Sequence, residues 1–387
     1  MRFFNTAGPC RADLHYMLSA TARLPDLDRL IDRQACFVIH GPSQSGKTTA
    51  MNSLAHELTA SGAYAAVLVS MEVGAPFNHD PGVAELAILE SWRAAAEWHL
   101  PARFHPPAWP NAASGGRIGA ALAAWCHAIE RPLVLFLDEI DALSGAALVS
   151  ILHQLRSGFG QRPTAFPWAL ALVGMRDVRD YKVAVDGSEL PQMASPFNIK
   201  TESLLLRMFT AAEVAELYCQ HTAETGQEFT TAAVERAFAL TQGQPWLVNA
   251  LARQAVEVVV PHVGAVIDAP HIDRAMELLL QRQDTHFDSM AECLRELRVR
   301  RVVEPIMAHA AIQDSTPDDI RYAIELGLCR RTAEGKLVIA NPIYGEVLPW
   351  ILAATPSASL RQIFWPIIDT TAYGCWAAHL AMRSLPF

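Results

Sequence analysis

Long apolar runs, positive charge and paired cysteines are all scarce in this chain of 387 residues. No uncharged apolar stretch reaches the ~18 residues that a membrane-crossing helix needs, so no transmembrane helix is expected. The N-terminus, MRFFNTAGPCRADLHYML, lacks the continuous apolar stretch of a signal peptide. Lys and Arg number 31 against 40 Asp and Glu, a formal net charge of −9. That balance argues against a general nucleic-acid surface, although it leaves room for one local basic patch. The seven cysteines (Cys10, Cys36, Cys126, Cys219, Cys293, Cys329, Cys375) include no C-x-x-C pair. A scattered, odd-numbered set reads as the reduced thiols of a cytoplasmic protein. His56-Glu57 begins like the zinc motif H-E-x-x-H, but alanine stands at position 60 and the motif fails.

What remains suits a globular protein with a substantial core, 51% hydrophobic and 18% charged. A chain of this length is expected to form two or three domains.

Chemistry enters at Gly41-Pro42-Ser43-Gln44-Ser45-Gly46-Lys47-Thr48-Thr49, which fits G-x-x-x-x-G-K-[ST] at every fixed position. Before it, CFVIH is a short apolar run suited to a buried parallel strand; after it, TTAMNSLAHELTAS is helical and closes at Gly62. Glycines let the backbone turn tightly enough for successive N–H groups to face phosphates, and the helix N-terminus adds partial positive charge. Gly41 to Thr49 therefore form a nucleotide-binding loop. In it Lys47 reaches the β and γ phosphates, and the Thr48 hydroxyl sits on Mg²⁺.

RPLVLFLDEIDAL supplies the second half of the site. Leu133 to Leu137 read as an apolar strand, with Asp138 and Glu139 at its carboxyl end, where open parallel sheets bind ligands. Asp138 is placed to hold Mg²⁺ through water, and Glu139 to orient and deprotonate an attacking water. Asp141 reads as a solvated or capping acid. Ala169 to Val173 form a further strand leading to Arg176, which reads either as a sensor of the γ-phosphate or as an ordinary surface arginine. AAVLVSME (Ala65 to Glu72) completes a β-α-β arrangement, with Ser70 and Glu72 near the same edge but without an assigned role. The stretch Phe104 to Arg117 reads as an exposed loop between helices. No N-K-x-D guanine signature is present, which leans the nucleotide toward ATP.

The phosphate loop, LFLDEID, LVGMRDVRDY, SPFNIKTESLLLRMFTAAEV and LTQGQPWLVNALA occur in an order that resembles a family of bacterial and archaeal AAA-like ATPases belonging to, or bordering on, the STAND class (signal-transduction ATPases with numerous domains). The resemblance covers roughly residues 1 to 355. It implies an ATP-driven switch, with a helical lid whose Gly-x-Pro turn packs near the adenine; Gly243-Gln244-Pro245 matches that turn. The expected fold is α/β: a P-loop NTPase core with a parallel sheet, a helical lid and a C-terminal winged-helix domain. Its expected divisions are an N-terminal arm (1–35), the ATPase core (36–200), the lid (201–285), the winged helix (286–352) and an atypical tail (353–387).

Many family members continue into a restriction-endonuclease-like nuclease. Pro317-Asp318-Asp319 and Glu334-Gly335-Lys336 superficially satisfy the metal pattern of such nucleases. The first reads as a helix cap and first turn, the second as a hairpin tip, so no shared metal site is expected. The tail beyond Ala354 departs from the family, and the nuclease is expected to be absent. Arg295, Arg298, Arg300 and Arg301 cluster by the winged helix and read as a solvated face or a DNA contact. Arg156 and Arg162 are equivalent candidates for an arginine finger in a homo-oligomer.

The leading expectation is a regulatory switch ATPase that binds ATP and Mg²⁺ and hydrolyses slowly. A DNA- or protein-binding adaptor that holds ATP structurally, and a P-loop kinase of a small molecule, are the alternatives. The winged helix, and the lack of a compact lid with a phosphoacceptor pocket, speak against the kinase.

Overall fold

Strands with apolar residues on both sides must be covered on both faces. That is the situation of β1 (Cys36–His40), β2 (Ala65–Ser70), β3 (Leu133–Asp138) and β4 (Ala169–Gly174). The computed structural model describes residues 1–19, 21–176, 184–185, 188–189, 202–282 and 285–354. In it these strands join a fifth in one parallel sheet. β5 (Ala184–Val185) and β6 (Ser188–Glu189) pair separately, and β7 (Ser203–Leu205) closes the main sheet, whose order is β2-β3-β4-β1-β7. All four pairings in that sheet are parallel.

Alternate residues divide between two cores. Val38, Val67, Leu135 and Leu170 face one side, where α3 (Pro81–His99), α4 (Arg117–Ala128) and α5 (Gly145–Gly158) cover them with Trp92, Trp125 and Ile151. Phe37, Leu68, Phe136 and Ala171 face the other, against α1 (Leu27–Asp32) and α2 (Lys47–Ala60). The result is a three-layer α/β/α arrangement of P-loop NTPase type. The outer edge of β2 is satisfied by a helix side chain: Thr59 Oγ1 accepts from Ala66 N at 2.9 Å and donates to Ala66 O at 3.2 Å. α3 starts where Asp80 caps the Gly82 and Val83 amides and Pro81 presets the first turn.

Two sequence expectations change here. Phe104 to Arg117 is no simple exposed loop. Phe104 is buried, the Trp125 Nε1 donates to its carbonyl, and Trp109 packs on Trp125 while donating to Leu89 O. Two aromatic anchors in the stretch outweigh its prolines and glycines. The sequence reading also passed over β7, three residues whose neighbours read as the start of a helical lid.

The chain separates into two compact units, one of residues 1–228 with 243–253, the other of 229–242 with the residues from 254 onward. The first holds the sheet, the N-terminal segment, α6 (Ala211–Thr225) and most of α8 (Pro245–Gln254). Its N-terminal segment docks on α6 through Tyr16 and His221 (3.2 Å) and through Arg2 and Glu224 (2.9 Å).

The second unit packs α7 (Thr231–Thr241) on α9 (Ala269–Arg282), followed by α10 (Thr285–Cys293), α11 (Leu297–Met307), α12 (Pro317–Glu325), the hairpin β8 (Cys329–Arg331) with β9 (Leu337–Ile339), and α13 (Pro342–Ala354). Asp319 lies in the first turn of α12, where it completes a capping box with Thr316, and Glu334 lies in the turn between β8 and β9. Of the expected tail (353–387), the residues from 355 on lie outside the described residues. No helix among the described residues is long and apolar enough to cross a membrane.

Leu135 lies fully buried at the centre of β3. Leu135→Ala is expected to cost about 2–5 kcal/mol of stability, read from urea denaturation. A loss below ~1 kcal/mol would remove β3 from the centre of the core.

Candidate functional site

The site grows out of the sheet's register. Ser70 pairs with Asp138, and His40 with both Gly174 and Leu205, so the strands deliver their carboxyl ends to one edge. From β1 the chain passes through Gly41–Gly46 into α2. Gln44 (φ 57°) and Gly46 (φ 89°) are left-handed, and such reversals turn consecutive amides into one concavity. Ser45 is buried, and its Oγ has no hydrogen-bond partner. An orphaned hydroxyl within this loop fits a phosphate oxygen.

Lys47 Nζ donates to the carbonyls of Gly41 and Pro42 at 2.7 and 2.9 Å, curling back against the loop. Burial pushes its pKa below the usual lysine value, while Asp141, Asp138 and Glu139 pull it back up. Thr48 Oγ1 donates to Asp138 Oδ2 at 2.7 Å, and the other carboxylate oxygen accepts from the Glu139 amide at 3.0 Å. Asp138 is buried, and desolvation raises its pKa against those hydrogen bonds and the charge of Lys47. Glu139 follows with φ 57°, the left-handed conformation that turns it off the strand. Its Oε2 accepts from Ser70 Oγ at 2.8 Å. Burial raises its pKa first, and the carboxylates of Glu72 and Asp138 add to the rise.

Other positions sort themselves by contact. Asp141, read as a solvated or capping acid, accepts from the Met175 amide at 3.1 Å and so ties the tip of β4 to the end of β3. Arg176 follows directly, in the bend after β4, the strand that lies between β1, which leads into the loop, and β3, which ends in Asp138. Thr49 Oγ1 accepts from the Cys10 amide at 3.0 Å. Pro245 opens α8 and is joined to the loop through the N-terminal segment: Trp246 and Arg253 donate to Thr6 at 2.9 and 2.8 Å. Gly243 is held by its surroundings, since a Cβ there would lie 1.9 Å from Phe209 O. Arg162 is committed within its own chain, to Gln34 O and over the Phe159 ring, whereas Arg156 is exposed.

Two side chains had no role in the sequence reading. Ser70 was placed at this edge without one, and it donates to Glu139. Arg23 carried no signal: its Nη1 donates to Ser45 O at 3.0 Å from 22 residues upstream.

Residues 30–181 match the family model AAA_22, described as an AAA domain. The match covers less than half of the chain; together with the loop and the acid pair it supports a P-loop ATPase domain of AAA type in this segment. Among solved structures, a Walker-type ATPase of Pyrococcus abyssi superposes with a TM-score of 0.61 at 10% identity, over 89% of this chain and 99% of that one. That is a likeness of fold. The Thermotoga maritima RuvB Holliday junction branch migration motor gives a TM-score of 0.45 at 16% identity, covering 85% of this chain and 93% of the other. Cdc6p of Pyrobaculum aerophilum gives 0.46 at 9% identity, covering 90% and 85%. No curated protein matches the sequence.

The raised Asp138 pKa sets a pH dependence with a definite sign. Its folded pKa lies above the unfolded one, so the folded state binds the proton more tightly. The stability cost is absent at low pH and develops as pH rises through the interval between the two pKa values. Asp138→Asn, which keeps an acceptor for Thr48, is expected to melt higher than the parent at neutral pH without nucleotide. The gap should close towards pH ~4, near the unfolded aspartate pKa. A thermal melt series from pH 4 to 8 checks this; a lower melting temperature at every pH would show that the carboxylate stabilises the fold.

Proposed function

We propose that the protein is a regulatory ATPase that binds Mg-ATP, hydrolyses it slowly and changes the arrangement of its helical segments with nucleotide state. The reading is carried by the 2.7 Å bond from Thr48 to Asp138, with Glu139 as the next residue. It brings the hydroxyl and the carboxylate that we assign to the metal together beside Lys47, with the candidate base next in the chain.

Bound Mg-ATP supplies the transferable γ-phosphoryl group and the cation that offsets its charge. The amides of Gly41 to Thr49 cradle the phosphates, and Lys47 neutralises the β and γ oxygens. Thr48 and Asp138 are the residues that would hold the metal, the carboxylate through water. Glu139 accepts the proton of the attacking water; its raised pKa makes it a better base than an ordinary surface carboxylate. Arg176, at the tip of the strand between β3 and β1, reports the γ-phosphate. The turn Gly243-Gln244-Pro245 borders the adenine.

The wider organisation is likewise our reading: an arm to residue 35, a core to 200, a lid to 285 and a winged helix to 352. The order α11, α12, hairpin, α13 supports the winged helix. The division into two units cuts across the proposed lid, grouping α6 and most of α8 with the first unit and α7 and α9 with the second. The arginine cluster gives little support to DNA as a partner. Arg295 pairs with Glu292, Arg298 with Asp318 and Asp319, and Arg300 with Glu304, which cancels much of the local positive field.

Phosphate release measured with and without DNA tests the reading. Lys47→Ala is expected to abolish tight Mg-ATP binding while leaving the fold intact; unchanged equilibrium binding would defeat the assignment. Glu139→Gln should still bind, with turnover lower by about 10²–10⁴-fold, the usual contribution of a general base. Unaltered hydrolysis would move that role elsewhere. Arg176→Ala should weaken ATP binding more than ADP binding, and equal losses would make Arg176 structural only.

A further inference from the structure

Arg23 lies on the back of the phosphate loop, and only 5% of it is exposed. Its Nη1 donates to Ser45 O and to Arg207 O, both at 3.0 Å. Its guanidinium stacks over the Phe209 ring, 4.9 Å from the centroid. Nη2 lies 3.2 Å from where a Cβ on Gly46 would stand, and Nε is buried without a hydrogen-bond partner. The nearby acid that acts on it, Glu213, is already held by Arg207 at 2.6 and 2.8 Å. Burial brings the Arg23 pKa down to about 10, so it remains a cation at neutral pH.

A buried cation without its own carboxylate destabilises the fold unless an anion compensates it. The group on its far side is the loop that the proposed function assigns to phosphates. The peptide plane adds a second effect. In a trans peptide the carbonyl and the following N–H point in opposite directions. Tying Ser45 O to Arg23 therefore turns the Gly46 N–H away from the guanidinium.

The same side chain also grips the segment running over the loop's back. There Leu206 N donates to His40 O at 2.8 Å, and Phe209 N donates to Gly243 O at 2.9 Å. One guanidinium thus links the loop, the end of β7 and the approach to the Gly243 turn.

We propose that Arg23 is a positioning residue of the nucleotide site: it orients the loop amides through Ser45, and its buried charge favours ligands in proportion to their phosphate charge. The proposal rests on the nucleotide-binding reading above. The test is equilibrium binding of adenosine, AMP, ADP and ATP to the full chain, with ligand-free melting curves as the control for folding. Arg23→Met is expected to weaken ATP binding by about 10-fold or more, with progressively smaller losses for ADP and AMP and adenosine within about twofold of the parent. Arg23→Lys, which keeps the charge, should restore most of that graded loss.

Equal losses across the four ligands, or unchanged ATP affinity in a folded Arg23→Met, overturn the proposal. Should Arg23→Met fail to fold, hydrogen exchange on the unaltered protein decides. ATP, but not adenosine, is expected to slow exchange in peptides spanning 21–30 and 205–210; no difference between the two ligands overturns the proposal. A parent protein that binds none of the four defeats the nucleotide reading itself. A parent that binds ATP and loses it in Lys47→Ala, but is indifferent to Arg23, defeats only this proposal.

Discussion

Parallel pairing is the constraint on which the site depends. Because all pairings in the five-stranded sheet run in one direction, the carboxyl ends of separate strands meet at one edge. Thr48 comes from the helix after β1 and Asp138 from the end of β3, 90 residues apart in sequence, yet they share a 2.7 Å hydrogen bond. Parallel strands need crossover helices, and those helices cover both apolar faces. The two cores and the site are thus products of the same topology.

The site is built at some cost to the fold. Asp138 and Glu139 both have raised pKa values from burial, and Lys47 has a lowered one for the same reason. Each would be better solvated at the surface. Hydrogen bonds from Thr48, Ser70 and the Glu139 amide recover part of that loss, and the facing charges of Lys47 and the acids recover more. Charges held this way, with shifted pKa values at one sheet edge, mark a candidate functional site.

Around this centre the segments before residue 30 and after residue 181 make specific contacts within the first unit. Cys10 meets Thr49 on the first turn of α2, and Thr6 meets Trp246 and Arg253 on α8. Gly243 admits no side chain because the Phe209 backbone occupies the space.

The sequence by itself determined the phosphate loop, four of the five core strands and the acid pair, because each is a local pattern. Gly41 to Thr49 is a contiguous motif, and β1 to β4 are apolar runs whose ends can be read directly. The three-residue β7 was not legible, since its strand character comes from pairing with β1. Phe104 looked like part of an exposed loop because its burial depends on Trp125, a neighbour brought there by helix packing. Only the tertiary structure gave Ser70 to Glu139, Asp141 to Met175 and Arg23 to Ser45. A side chain's partner across strands or loops is set by how the sheet orders its strands, and neither local propensity nor spacing along the chain encodes that order.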